Sequence, residues 1–177
     1  GTFLGVGVGM LVLWALGHGR ASRLPPWRAA PILAVPAALW AMDGVNSFVE
    51  WMIGRGPLYP PHNALRLATG LGLGLAIAAV LYPTFHYAMW RMGPDRTPGG
   101  RVLERPAEFA WMVGAGAAVG AGILAWGGAP YALMALLAAG AVAVTLFLVN
   151  GSLVALVARA EGAAATWPGV LPYLGAG

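Results

Sequence analysis

An all-α bundle of membrane-spanning helices is the fold class this sequence predicts, and three observations predict it. Hydrophobic residues make up 59% of the chain and charged residues 9%, where an ordinary soluble domain is roughly a quarter charged. The apolar residues fall in continuous runs of about 20, the length an α-helix needs to cross a bilayer. The ~10-residue alternating segments of a transmembrane β-barrel are missing. Short connections rich in Arg, Pro and Gly separate the runs. At 177 residues the chain has room for about five such helices, and the expectation is a single integral membrane domain over 1–177.

The spans follow in order. The first, 2–17, is short for a full crossing. A connection carrying His18, Arg20, Arg23 and Arg28, broken by Pro25-Pro26, precedes the second span at 31–53, which holds Pro36, Asp43, Asn46 and Glu50. The turn Gly54-Arg55-Gly56-Pro57 through Pro60-Pro61 leads into the third, 65–89. The most polar connection, 91–106, leads to the fourth span, 107–126. A tight Gly127-Gly128-Ala129-Pro130 turn then reverses the chain into the fifth, 130–158. After Arg159 and Glu161 the tail turns apolar again at Trp167–Leu174, as the opening of a sixth span that stops short.

Charge orients these spans. All ten basic residues are arginines; eight lie in the first, third and post-fifth connections, against only Arg55 and Arg66 around the second. Such a bias places the 18–30 and 91–106 loops in the cytoplasm. Trp14, Trp27, Trp51, Trp90, Trp111 and Trp126 stand near span ends, where interfacial anchors belong. The basic balance serves orientation, so no nucleic-acid partner is expected. Cysteine is absent, which excludes disulfides, thiolate catalysis and Cys-ligated metals for these residues. The chain opens on Gly1 directly in an apolar run with no charged segment ahead of it. That is not the pattern of an intact signal peptide, and residues upstream are expected.

Within the spans, three Gly-x-x-x-Gly pairs, Gly5/Gly9, Gly70/Gly74 and Gly116/Gly120, offer flat grooves for close helix approach, either inside the bundle or between two copies. Gly70-x-Gly72-x-Gly74 has neither the spacing nor the preceding strand of a dinucleotide loop. Asp43, Asn46 and Glu50 at i, i+3 and i+7 share one helix face, and ionisable groups at membrane depth call for partners. Counted by depth, Glu50 matches Arg66, while Asp43, seven residues or ~10 Å deeper, is expected to meet Asn150 or third-span backbone. The alternatives for this face are a proton or cation relay, an anchor for a polar ligand, and a network that fixes helix register. His62, Asn63 and Arg66 cluster where the third span opens, with Asn63 in position to cap it. His86 and His62 are candidate ligands for a metal or pigment. No grouping of catalytic residue types is visible, and the expectation is a protein that is not an enzyme.

The stretch Asp43-Gly44 followed by Asn63-Ala64-Leu65-Arg66-Leu67-Ala68-Thr69-Gly70, with Asn150, Arg159, Glu161 and Trp167 further on, resembles a bacterial family of small predicted membrane proteins of unknown function. Its members carry an Asp-Gly in one span and Asn-x-Leu-Arg-x-x-Thr-Gly opening the next. The similarity covers most of the chain. A Cys-containing segment usual upstream of Thr2-Phe3-Leu4-Gly5 in that family is absent here. The resemblance implies a helical bundle in the bacterial inner membrane and supplies no activity. The expected function is therefore a non-catalytic accessory or structural subunit of a larger membrane complex. Its partners would be the lipid bilayer, other membrane subunits and, as a candidate, a bound lipid or pigment; the cofactor is unknown. The alternative is a small ion- or proton-coupled transporter or channel using Asp43 and Glu50.

Overall fold

A computed structural model describes residues 1–90, 100–126 and 131–175, apart from the side chains of Tyr131 and Met134. Arg91, Arg96 and the expected 127–130 turn lie outside them. The described residues form six α-helices: α1 (Thr2–Ala15), α2 (Ala30–Ile53), α3 (Asn63–Met89), α4 (Pro106–Ala125), α5 (Tyr131–Val157) and α6 (Leu171–Gly175). Four helical segments, Trp27–Ile53, Asn63–Met89, Pro106–Ala125 and Ala135–Val157, are long and apolar enough to cross a membrane. α1 has 14 residues, about 21 Å of helix against a hydrocarbon core of about 30 Å. The apolar tail forms a 3-10 turn at Trp167–Gly169 and the short α6, which packs back against α5.

The bundle is organised around α3, which touches α1, α2, α4 and α5. Glycine decides its closest contact. Gly5 and Gly74 face each other backbone to backbone: a Cβ built on Gly74 would collide with the Thr2 carbonyl oxygen, and one on Gly5 with that of Leu71. One turn along α1, Gly9 lies over Ala78. Gly5, Val6, Gly9 and Leu13 are the buried face of α1, at helical spacing. The third glycine pair works differently, Gly116 and Gly120 of α4 receiving the side chains of Leu75 and Leu71 from α3. All three Gly-x-x-x-Gly pairs are thus spent on packing within this chain.

Prolines are placed where the helices tolerate them. Pro31 and Pro106 open α2 and α4, where no intrahelical N–H bond is lost. Pro36 inside α2 lies against Gly72, whose missing side chain leaves room for the ring. α2 ends at Gly54, with φ +77 and its N–H donating to the Glu50 carbonyl at 2.8 Å, a left-handed cap that glycine adopts without strain. The hydroxyls of Thr69, Thr84, Thr145 and Ser152 donate to carbonyls one turn back in their own helices, which satisfies them in apolar surroundings.

The Arg-rich end is an ordered layer. Ser22 and Arg23 N–H groups both donate to the Gly100 carbonyl, and those of Gly162 and Ala164 to the carbonyls of Ala88 and Met89. Backbone bonds therefore tie the first connection to the third, and the tail to the end of α3.

Candidate functional site

Asp43 and Asn46 are the buried residues of α2, 4% and 1% exposed, on a helix whose other faces are largely open. Their partners come from the loop that follows. Residues 54–62 fold back over α2, and Asn46 takes hold of the loop backbone with both ends of its amide. Its Nδ2 donates to the Tyr59 carbonyl at 2.9 Å, and its Oδ1 accepts from the Leu58 N–H at 3.0 Å. The Tyr59 hydroxyl then donates to Asp43 Oδ1 at 2.8 Å. Gly56 makes this fit possible, since a Cβ there would strike the Tyr59 carbonyl oxygen and crowd the Asn46 amide. Burial, then the hydrogen bond to Asp43 and its negative charge, raise the Tyr59 hydroxyl pKa above the usual 10.0.

These contacts correct the expected partners. α2 packs against α3, while α5 lies against α1, α3 and α6 and makes no contact with α2 among the described residues. Asn150 on α5 is therefore out of reach of Asp43. Glu50 and Arg66 form no ion pair among the described residues, where the pairs are His18–Glu108 and Arg101–Glu104. Glu50 is half-buried, and Arg66 and His62 are exposed. Equal depth fixes only one coordinate; rotation about each helix axis separates the two charges. Asn63 is the first residue of α3 and does not cap it, the N-cap position falling on His62 with no side-chain cap bond.

His86 is 4% exposed and sits among aromatic rings at the Arg-rich end. Trp90 Nε1–H donates to its Nδ1 at 2.5 Å, and Tyr82 packs edge-on with centroids 4.4 Å apart. Trp90 meets Trp167 edge-to-face at 5.0 Å. Over Trp90 lies the Arg20 guanidinium, 4.3 Å from the ring centroid, which also donates to the Ala165 carbonyl at 3.3 Å. The Nδ1 lone pair is thus already used, and among the described residues no group of three or more His, Cys, Asp or Glu side chains could hold a metal. Trp90 is 5% exposed, unlike Trp14, Trp27, Trp51, Trp111 and Trp126, and belongs to the core instead of the interface. Nearby, His18 Nε2 approaches Glu108 Oε2 at 3.2 Å, where Glu108 also occupies the first turn of α4, a position favourable to a carboxylate.

Among the described residues, two of the cavities lie away from Asp43. One, of about 550 Å³, runs between α2, α3 and α4, from Phe109 to Leu124 on α4, and its lining holds no charged residue. The other, of about 580 Å³, lies at the Arg-rich end. No known protein family, curated protein or solved structure matches the chain.

Tyr59 and Glu108 were not singled out by sequence, while Gly56 was read only as part of a turn and Trp90 only as an interfacial anchor. An aromatic hydroxyl in a Pro/Gly loop directly after a span containing Asp and Asn is the signal that could have found Tyr59.

Proposed function

We propose that the chain is a non-catalytic integral membrane protein, an accessory or structural subunit of a larger complex in the bacterial inner membrane. Its Arg-rich end, with the 18–30 and 91–106 loops, would face the cytoplasm. The observation that carries this reading is the state of Asp43: buried, and closed over by the protein's own loop. A transporter built on Asp43 and Glu50 needs a polar path to the acid, whereas among the described residues the Tyr59 hydroxyl and the loop held by Asn46 lie over it. α2 meanwhile presents Val35, Leu39, Met42, Val45, Phe48 and Met52 outward, an apolar flank suited to lipid or partner helices.

The test is purification at native expression level in mild detergent, followed by native mass spectrometry and an absorption spectrum. Fixed-stoichiometry partners are expected. A chain that emerges alone and colourless overturns the reading, as does proteoliposome ion flux that Asp43→Asn abolishes.

A further inference from the structure

We propose that the cleft at the Arg-rich end, bounded by Arg23, Arg101 and the last turns of α3, binds the phosphate headgroup of an anionic phospholipid. The cleft, about 580 Å³, is lined by Arg23, Leu24 and Pro25 from the first connection, by Pro83, Thr84 and Tyr87 from α3, and by Ser22 and Arg101. Arg23 and Arg101 are 78 residues apart in sequence, yet they form an isolated parallel bridge, which sets their backbones about 4.8 Å apart. Both side chains border the same cleft, and like charges held near each other repel.

Among the described residues little relieves that repulsion. Arg101 Nε lies 3.9 Å from Glu104 Oε1, at the limit of an ion pair between partly exposed groups, where screening by water leaves little attraction. Arg23 is exposed and has no ion pair or side-chain hydrogen bond among the described residues. The neighbouring cation Arg20 is engaged on Trp90 and Ala165. Two guanidinium groups lining one cleft suit the oxygens of a single phosphate.

Position selects a lipid as the source of that phosphate. Pro83, Thr84 and Tyr87 are the sixth, fifth and second residues before the end of α3 at Met89, so about 3–9 Å from its end. That is headgroup depth, and basic pockets at this level between spanning helices recognise anionic lipids. Thr84 and Tyr87 are exposed on the helix flank, so the cleft faces the bilayer as well as water. Thr84 already donates to the Val80 carbonyl and can only accept, which leaves the arginines and the Tyr87 hydroxyl as donors.

The experiment is titration of the full chain in detergent with phosphatidylglycerol, phosphatidylcholine and inorganic phosphate, read by native mass spectrometry and by thermal unfolding. One phosphatidylglycerol per chain is expected, held at least about tenfold tighter than phosphatidylcholine. Arg23→Gln and Arg101→Gln should each erase about tenfold of that preference, while Arg55→Gln at the other end leaves it unchanged. Without anionic lipid the two variants should unfold at or above the wild-type temperature, because each removes a repulsion; a merely structural arginine would lower it. Equal binding of the two lipids, unchanged preference in the variants, or competition by inorganic phosphate at equal affinity overturns the proposal.

Discussion

Replacing Gly74 by alanine should separate α1 from α3. The added Cβ would lie 2.7 Å from both Gly5 Cα and Val6 N, and nearer still to the Thr2 carbonyl oxygen, where ordinary contact is 3.4–4 Å. All three neighbours are backbone atoms, so no rotamer change relieves them, and the helices must part by about 1 Å. A gap of that size forfeits a quarter to a half of each atom-pair attraction, itself about 0.1–0.2 kcal/mol. Over a crossing with roughly 40–60 such pairs, the number one buried leucine makes, the loss is near 3 kcal/mol. Alanine's better helix propensity returns about 1 kcal/mol, for a net destabilisation of about 2 kcal/mol, within the usual overpacking range of about 1–3. The same substitution at Gly114 meets nothing within 4 Å and should be neutral or stabilising by up to about 1 kcal/mol. Reversible unfolding of both variants in mixed micelles reads the difference. A Gly74→Ala protein as stable as wild type, or a Gly114→Ala protein equally weakened, refutes the reasoning.

Gly56→Ala and Tyr59→Phe should both release the 54–62 loop; with no native cysteine, a reporter introduced by Leu58→Cys should then label faster, and an unchanged rate speaks against the clasp. Because the folded Tyr59 pKa is raised above 10.0 by burial and then by Asp43, its contribution to stability is full below pH 10.0 and is lost as pH rises through the folded value. The tyrosinate absorbance difference between wild type and Tyr59→Phe should therefore appear above the ordinary tyrosine range, and Asp43→Asn should move it back down. Arg20→Gln removes a cation–π contact worth roughly 0.5–2 kcal/mol and the bond to Ala165, so limited proteolysis should cut the 159–175 tail sooner.

The helical spans were legible because bilayer thickness imposes a length and a composition that few soluble segments meet. Glycine spacing was equally legible as close packing, although only the structure separates the backbone-to-backbone contact of Gly5 with Gly74 from the leucine-filled notches at Gly116 and Gly120. Asp43 and Asn46 stood out as polar residues on one face, and both are buried. Their partners did not stand out, because a connection's path is set by its own turns: Gly54 and Gly56 bring Tyr59 back over α2, which no helical count reveals. Trp90 was indistinguishable by position from the exposed tryptophans, since proximity to a span end gives depth and says nothing about which side of the helix meets its neighbours.

The placement of α2 has a consequence for how the protein is made. α1 and α2 are consecutive, yet among the described residues they share no contact, and each leans on α3. Both leave the ribosome ahead of α3, and neither covers the other in the meantime. The glycine face of α1 and the carboxyl of Asp43 stay uncovered until residues 54–89 have followed, when one event supplies both the groove for α1 and the loop that closes over α2. A pause in synthesis before that point would leave an acid open inside the membrane, the form a quality-control protease is equipped to find.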